Sequence, residues 1–343
     1  MKMKTLTTNL QTFFGLIETE KEVAAHESYL NSLNDSESLL QTEFSLNTSV
    51  VDDLMVHFKS FGQLNVDKIQ FKHCFNTLKK DQAQLNVKLP SSVDKIKISL
   101  RFTAKLELES AYLTGCAIKP NGDFLFVNLN SKKLLTCKSD GSNVQDLVTF
   151  ETAPTDIVFL PNKDVAVVSF RGREITFVDL LPNKQMKSIK IKSYGIDFIN
   201  DKLISSSGSK TIHWLDMQGD VVSELCLKTN SYYVTATSTC VYCSDYNKKA
   251  VISFDYTGKQ LWEFTHEKLI QPLGITSTLN GYIFVADRGS KNVFLISPDG
   301  SESIIVLSFT GSGPRGIHFS SSRNELLVTQ ESGDEVSLYD VQF

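Results

Sequence analysis

The chain has 343 residues, of which 41% are hydrophobic and 22% are charged, and its formal net charge is −4. This composition is typical of a folded, soluble protein, and no apolar run approaches the roughly 18 residues that a membrane span requires. The mild net acidity argues against a chain that binds nucleic acid over its whole surface.

The N-terminus and the cysteines both indicate a cytoplasmic protein. The opening sequence MKMKTLTTNLQTFFGLIETEKEV lacks a sustained apolar core and a small-residue cleavage site, so no signal peptide is predicted. Six cysteines at irregular intervals do not form a disulfide framework. Reduced thiols in the cytoplasm fit this pattern better.

Residues 1–62 carry an apolar stripe at helical spacing, with interruptions. No proline occurs in this segment. We predict one or two amphipathic helices that can pair as a coiled coil, and a helix packed on the following domain is the alternative. Residues 63–92 form a connector of mixed character, and Pro90-Ser91-Ser92 marks the start of the next domain. The positions that define the stripe are Leu6, Leu10, Phe13, Ile17, Leu30, Leu33, Leu40, Phe44, Val51, Leu54, Phe58 and Phe61.

The remaining residues contain a repeated pattern. In GYIFVADRGSKNVFLISPDG (281–300), an apolar run ends in Asp, a polar turn with basic residues follows, and a second apolar run ends before Asp-Gly. The segments 238–258 and 122–141 have the same order, weaker copies occupy 163–183 and 200–219, and the segment 324–343 closes the chain. A short apolar strand precedes each copy. Equivalent positions in these strands are Cys116, Ile157, Ile196, Val234, Ile275 and Ile317.

The steps between these positions are 41, 39, 38, 41 and 42 residues. Six copies near this length, with about four short strands each, are typical of an all-β six-bladed β-propeller spanning 93–343. The chain ends directly after a third-strand-like segment, which would leave the last blade open. We therefore expect 94–109, DKIKISLRFTAKLELE, to supply the outer strand of that blade.

The sequence offers little support for catalysis or for a metal site. Cys240 and Cys243 form a CxxC on a predicted strand, where positions three apart point to opposite faces. His213, His266 and His318 fall on a third strand, an inter-blade loop and an inner strand. Phosphate-loop and nucleophile-elbow motifs are absent. We expect no enzyme activity, no cofactor and no metal, because the aligned inner-strand positions are nearly all apolar.

The basic residues are distributed unevenly between the two faces of the predicted propeller. The turns between second and third strands share one face with the loops that link blades, and Arg315 is expected in the loop before blade 6. We predict that this face binds a ligand or partner. The cations assigned to it are Lys132, Lys133, Arg171, Arg173, Lys210, Lys248, Lys249, Arg288, Lys291 and Arg315.

Two alternatives remain open for these cations. They can pair with the acidic residues that end the second strands, such as Asp245 or Asp287, in which case they indicate no ligand. They can also bind single-stranded RNA, but that requires stacking aromatic side chains among them. The turns offer few such residues, namely Phe170, Tyr246 and the pair Tyr232-Tyr233.

The order of these parts resembles the tripartite-motif proteins with NHL-like propellers, and most of all the expanded set of bivalve molluscs. The resemblance rests on the helical segment followed by SFGQL, KDQAQLNVKLP and GCAIKPNGDFLFVN, which enters the six-fold repeat. Members of that family usually carry a RING and B-boxes before the coiled coil, and many are ubiquitin ligases. Here His73-Cys74 is the sole Cys/His pair near the N-terminus, and zinc-dependent transfer activity is not expected.

The resemblance implies a non-catalytic protein-interaction module, either a truncated product or an adaptor. We expect a homodimer through the helical segment and protein partners on the basic face, as in the substrate-recognition part of a tripartite-motif ubiquitin ligase. Single-stranded RNA binding on the same face is the alternative, and membrane association is not expected.

Overall fold

A computed structural model describes residues 92–161, 164–181 and 183–343. The helical segment predicted at 1–62 and residues 63–91 of the connector lie outside the described residues. Within the described part, no helix has the length and hydropathy of a membrane-spanning segment.

Six four-stranded antiparallel sheets account for the described chain, as the repeat spacing predicts. In the first five blades the strands pair in chain order from the inside outwards. Blade 1 consists of β2 (Leu113–Ile118), β3 (Phe124–Asn128), β4 (Lys133–Cys137) and β5 (Gln145–Thr149). Blade 2 consists of β6 (Asp156–Phe159), β7 (Asp164–Ser169), β8 (Glu174–Asp179) and β9 (Lys184–Lys190).

The next three blades repeat this arrangement. Blade 3 consists of β10 (Gly195–Ile199), β11 (Lys202–Ser206), β12 (Thr211–Leu215) and β13 (Val221–Cys226). Blade 4 consists of β14 (Tyr233–Ala236), β15 (Cys240–Asp245), β16 (Ala250–Asp255) and β17 (Gln260–Phe264). Blade 5 consists of β18 (Pro272–Ser277), β19 (Ile283–Asp287), β20 (Asn292–Ile296) and β21 (Ser303–Ser308).

Blade 6 joins the two ends of the described chain. It contains β22 (Pro314–Ser320), β23 (Glu325–Gln330) and β24 (Glu335–Gln342), and its outer strand is β1 (Lys97–Lys105). The pairing of β1 with β24 runs from Lys97 opposite Gln342 to Lys105 opposite Glu335. This is the closure that the alternating pattern of 94–109 predicts. A short 3-10 helix, Val93–Lys95, precedes β1.

The hydrophobic core is divided into six clusters, and each lies between two neighbouring blades. Between blades 5 and 6, for example, Phe284 and Leu295 pack with Leu326 and Val328. Inner strands of neighbouring blades are in contact around the whole ring. Since every cluster is shared by two blades, opening the ring between any two of them would expose one cluster to water.

Candidate functional site

The upper face is defined here as the side where the inner strands begin. Six turns between second and third strands lie on it, at 129–132, 170–173, 207–210, 246–249, 288–291 and 331–334, and each has four residues. Four of them end in a basic residue with positive φ: 56° at Lys132, 50° at Arg173, 54° at Lys249 and 61° at Lys291. The turn geometry thus fixes the direction in which these basic side chains leave the backbone.

The acidic residues that end the second strands do not pair with the turn cations. Asp245 accepts hydrogen bonds from the backbone N–H groups of Asn247 and Lys248, at 3.0 and 3.1 Å. Asp287 accepts one from Gly289 at 3.1 Å. These carboxylates therefore hold the turn backbone, and the ion pairs considered from the sequence for Asp245 and Asp287 are wrong.

Four of the predicted cations have other partners. Lys133 pairs with Asp146, and Lys248 pairs with Glu263 at 2.5 Å. Lys132 Nζ donates to the Glu151 carbonyl oxygen at 3.0 Å. Arg288 pairs with Glu331.

Five further cations are exposed and make no side-chain hydrogen bond or ion pair with another described residue. They belong to the consecutive blades 2–5 and are called the basic sector below. Its members are Arg171, Arg173, Lys210, Lys249 and Lys291.

Arg315 occupies a different place from the one predicted. It belongs to the inner strand β22 rather than to the loop before it, and it is only 8% exposed. Its guanidinium donates to Glu331 at 2.6 Å and to the Tyr112 hydroxyl at 3.0 Å, and it lies 5.1 Å from the centre of the Tyr112 ring. Arg315 is therefore part of a buried network near the channel mouth and not of an exposed basic surface.

Glu331 is the shared acceptor of that network. Burial acts to raise the pKa of its carboxyl, but the hydrogen bonds from Tyr112 and Arg288 and the charge of Arg315 outweigh burial and lower the pKa. A carboxylate so engaged has little capacity left for a ligand. The blade 6 side of the upper face is thus internally neutralised.

Aromatic side chains form a row on the upper face, from blade 2 to blade 4. Phe170 lies 4.8 Å from Tyr194 between ring centroids, and Tyr194 lies 5.3 Å from both Tyr232 and Tyr233. Tyr232 packs against Tyr246 at 3.9 Å. The row joins the four aromatic residues noted from the sequence and adds Tyr194, which lies in the loop before the inner strand of blade 3.

The central channel narrows to a small cavity of about 30 Å³, which is room for about one water molecule. All six aligned positions, from Cys116 to Ile317, line it as the sequence predicts. Polar side chains line it too. They are Thr114, Asp156, Asp197, Tyr233, Thr235, Thr276 and His318.

Most of these polar groups join one blade to the next. Four of them directly follow the aligned apolar residue and accept from a backbone N–H of the next blade. The bonds are Ala236 to Asp197 (3.0 Å), Ser277 to Thr235 (3.2 Å), Phe319 to Thr276 (3.2 Å) and Ile118 to His318 Nδ1 (3.3 Å). The aligned apolar positions are thus followed by polar groups whose role the sequence analysis did not consider, and these groups are used for closure.

Asp156 and Tyr233 occupy the inner-strand position at which the other four blades have glycine. The glycines are needed because the inner strands approach closely: a Cβ at Gly115 would lie 2.9 Å from the Asp156 Cα. Asp156 accepts from the Ile157 and Ile196 N–H groups, both at 3.0 Å. Burial nevertheless raises the pKa of Asp156 to about 7. The departures from glycine in PTDIVF and SYYVT were the sequence signal for these two residues.

Two buried atoms at the upper end of the channel have no hydrogen-bond partner among the described residues. They are the Tyr233 hydroxyl and the Arg315 Nε. Burial raises the pKa of Tyr233, and the nearby Arg315 charge lowers it in part. Both groups are enclosed, so they do not offer an open binding surface.

The predicted positions of the histidines are confirmed: His213 lies in β12, His266 follows β17 and His318 lies in β22. Burial lowers the pKa of His318 to about 4, so its ring is neutral near pH 7. Cys243 packs between blades 3 and 4, whereas Cys240 packs towards blade 5, on opposite sides of the sheet as predicted. Within the described ranges, no three His, Cys, Asp or Glu side chains form a group that can hold a metal ion.

Comparison with solved structures identifies the same fold in lyases. A streptogramin B lyase structure superposes with a TM-score of 0.55 at 12% identity, covering 72% of this chain and 98% of that one. Selenomethionine-substituted virginiamycin B lyase from Staphylococcus aureus gives 0.54 at 13%, covering 72% and 99%. A catalytically inactive variant of the S. aureus enzyme with quinupristin gives 0.51 at 12%, again covering 72% and 99%.

At these identities the likeness establishes the six-bladed propeller and nothing about activity. Neither models of protein families nor curated proteins match the chain. The comparisons therefore establish the fold, but they do not assign the chain to a family.

Proposed function

We propose that this chain is a non-catalytic protein-interaction module that binds its partner on the upper face of the propeller. The observation that carries the proposal is that the polar side chains in the channel and the cations on the upper face differ in how far they are already bonded within the protein. Five polar side chains of the inner strands are occupied by bonds between blades, whereas the basic sector is exposed and without described partners. A rigid ring with exposed side chains on its turns suits recognition.

The closed channel supports recognition over channel chemistry. A substrate needs a concave site that buries much of its surface, and the cavity of about 30 Å³ is far smaller than that. The lyase structures have the same fold at 12–13% identity, which leaves activity to be argued from the residues of this chain.

Single-stranded RNA is the second candidate ligand, and the aromatic row is the observation that favours it. RNA needs open ring faces for its bases to stack on. Here the rings of Tyr232 and Tyr246 cover each other at 3.9 Å, and Tyr232 and Tyr233 are 7% and 3% exposed. We therefore rank a protein ligand first.

The wider proposal follows the resemblance to tripartite-motif proteins. In it the propeller is the substrate-recognition part of a ubiquitin-ligase-like assembly in the cytoplasm, and residues 1–62 form a homodimeric coiled coil. Its support is the order of the parts in the sequence, from the helical stripe to the six-bladed repeat.

Site-specific photo-crosslinking tests the proposed function. A crosslinkable residue replaces Lys249 on the upper face or Lys259 on the lower face of the same blade, in the full chain. The proposal predicts that a partner protein crosslinks at Lys249 and not at Lys259. It also predicts that this partner, once purified, binds the wild-type chain directly. Crosslinking mainly at Lys259, or mainly to RNA at Lys249, contradicts it.

A further inference from the structure

The upper face is divided electrostatically into two halves. The five exposed cations of the basic sector lie in blades 2–5, whereas Arg288 of blade 5 and Arg315 of blade 6 are both held by Glu331 of blade 6. Asp334 and Glu335 add negative charge on the blade 6 side. Positive potential is therefore concentrated over blades 2–5 rather than spread around a ring.

The aromatic row lies in the same half as the basic sector. Phe170 directly precedes Arg171, and Tyr246 belongs to the same turn as Lys249. The blade 3 turn rests on the row, because a Cβ at Gly208 would lie 3.2 Å from Phe170 and 3.3 Å from Tyr194. Phe170, Tyr194 and Tyr246 are each half-buried and so keep some exposed ring surface.

Two carboxylates next to the cations of this half are already engaged. Glu174 pairs with Lys190 at 2.5 Å and accepts from the Thr152 hydroxyl at 2.8 Å. Asp245 is 3% exposed and bonds to its own turn. Neither is available to neutralise Arg173 or Lys249, which leaves these cations for an external anion.

We propose that the partner segment is an extended acidic peptide bearing aromatic side chains, and that it lies across the upper face of blades 2–4. Its carboxylates meet Arg173, Lys210 and Lys249, and its aromatic side chains pack on the exposed edges of Phe170, Tyr194 and Tyr246. This inference rests on the proposed function and names the chemistry of its partner.

Fluorescence anisotropy of the full chain with labelled poly(Glu,Tyr), a random copolymer with about four Glu per Tyr, tests the inference. The upper-face variant is R173E/K210E/K249E. The matched control is K184E/K202E/K259E, which changes exposed lysines of the same three blades at their lower ends. We expect binding to weaken by about tenfold or more in the upper-face variant and to change by about twofold or less in the control.

Aromatic contact is tested with poly-Glu, which should bind several-fold more weakly than poly(Glu,Tyr) to the wild-type chain. Equal affinity for the two polymers overturns the aromatic part, and equal weakening by both triple variants overturns the location. Tighter binding of poly(U) RNA, lost in the upper-face variant alone, overturns the peptide assignment. Circular dichroism establishes that both variants are folded.

The two proposals fail in different ways. If a protein crosslinks at Lys249 but poly(Glu,Tyr) does not bind, the upper face binds a partner of other chemistry. In that case the acidic-peptide inference is wrong and the proposed function stands. If poly(Glu,Tyr) binding is lost only in the upper-face variant, the inference is supported. If crosslinking does not differ between Lys249 and Lys259, the proposed function is wrong. This inference, which rests on it, is then wrong as well.

Discussion

Arg101 of the first strand and Asp340 of the last strand form an ion pair that joins the two ends of the described chain. The Nε of Arg101 also donates to Asp340 at 3.2 Å, and one of its terminal nitrogens lies 2.5 Å from Glu325, whose side chain is 3% exposed. Ring closure thus places a forked cation over a nearly buried carboxylate.

Arg101→Ala should destabilise the closed ring. Among the described residues, Glu325 would keep only Arg323 as a charged partner. Leaving a nearly buried carboxylate with one partner fewer costs about 1–3 kcal/mol. Urea unfolding of the full chain measures the loss. Lys97→Ala, at an exposed position of the same strand, is the control, and an equal effect of the two substitutions contradicts this account.

Asp156 should make stability fall as the pH rises. Its pKa is raised from 3.8 to about 7 in the folded state, so between about pH 4 and 7 the folded protein holds a proton that the unfolded chain has released. Asp156→Asn, which is neutral throughout, should remove this dependence and be more stable than wild type near pH 8, by on the order of 3 kcal/mol. Unfolding at about pH 4, 6 and 8 measures it. A variant that is less stable than wild type at every pH would contradict this role of Asp156.

His318 should have the opposite effect. Burial lowers its pKa from 6.5 to about 4, so below about pH 6.5 the unfolded chain binds a proton that the folded protein does not, and stability falls as the pH falls towards 4. His318→Asn keeps an acceptor for Ile118 and should lessen this acid sensitivity. Thr276→Val removes the equivalent bond between blades without a titrating group, so it should lower stability similarly at each pH. Urea unfolding across this pH range compares the two variants, and an acid sensitivity that His318→Asn leaves unchanged contradicts the assignment.

Gly115→Ala should be among the most damaging small substitutions in the ring. Its Cβ would lie 2.9 Å from the Asp156 Cα and 3.1 Å from Val127, so two inner strands would have to separate. Gly311→Ala, where the nearest atom is the end of the Gln330 side chain at 3.2 Å, should be tolerated. Thermal unfolding compares the two, and similar melting temperatures would contradict the close approach.

The sequence predicted the features that depend on local pattern. The repeat steps placed all six inner strands, because each blade is one meander of similar length. The alternation of 94–109 predicted the outer strand of blade 6, because a half-buried strand needs a partner at an open edge. The turn cations Lys132, Arg173 and Lys291 were also located, since each is the last residue of a four-residue hairpin turn.

Features that depend on ring closure could not be predicted in the same way. Arg315 lies on β22, which already begins at Pro314, before the position that its sequence pattern indicates. It therefore contacts Glu331 of the same blade and Tyr112, which is 203 residues away in the sequence. The aromatic row joins Phe170, Tyr194 and Tyr246 from different blades. No local spacing relates such residues, and only the closed ring brings them together.

The central claim is that the upper face over blades 2–4 binds an acidic partner segment. Hydrogen exchange of the full chain with and without poly(Glu,Tyr) tests it most directly, because each turn reports separately. The account predicts slower exchange at the upper turns 170–173, 207–210 and 246–249, with the lower-face residues 180, 181, 183, 200–201 and 256–259 unchanged. Protection confined to the lower turns, or no protection at a polymer concentration that saturates binding, would contradict it.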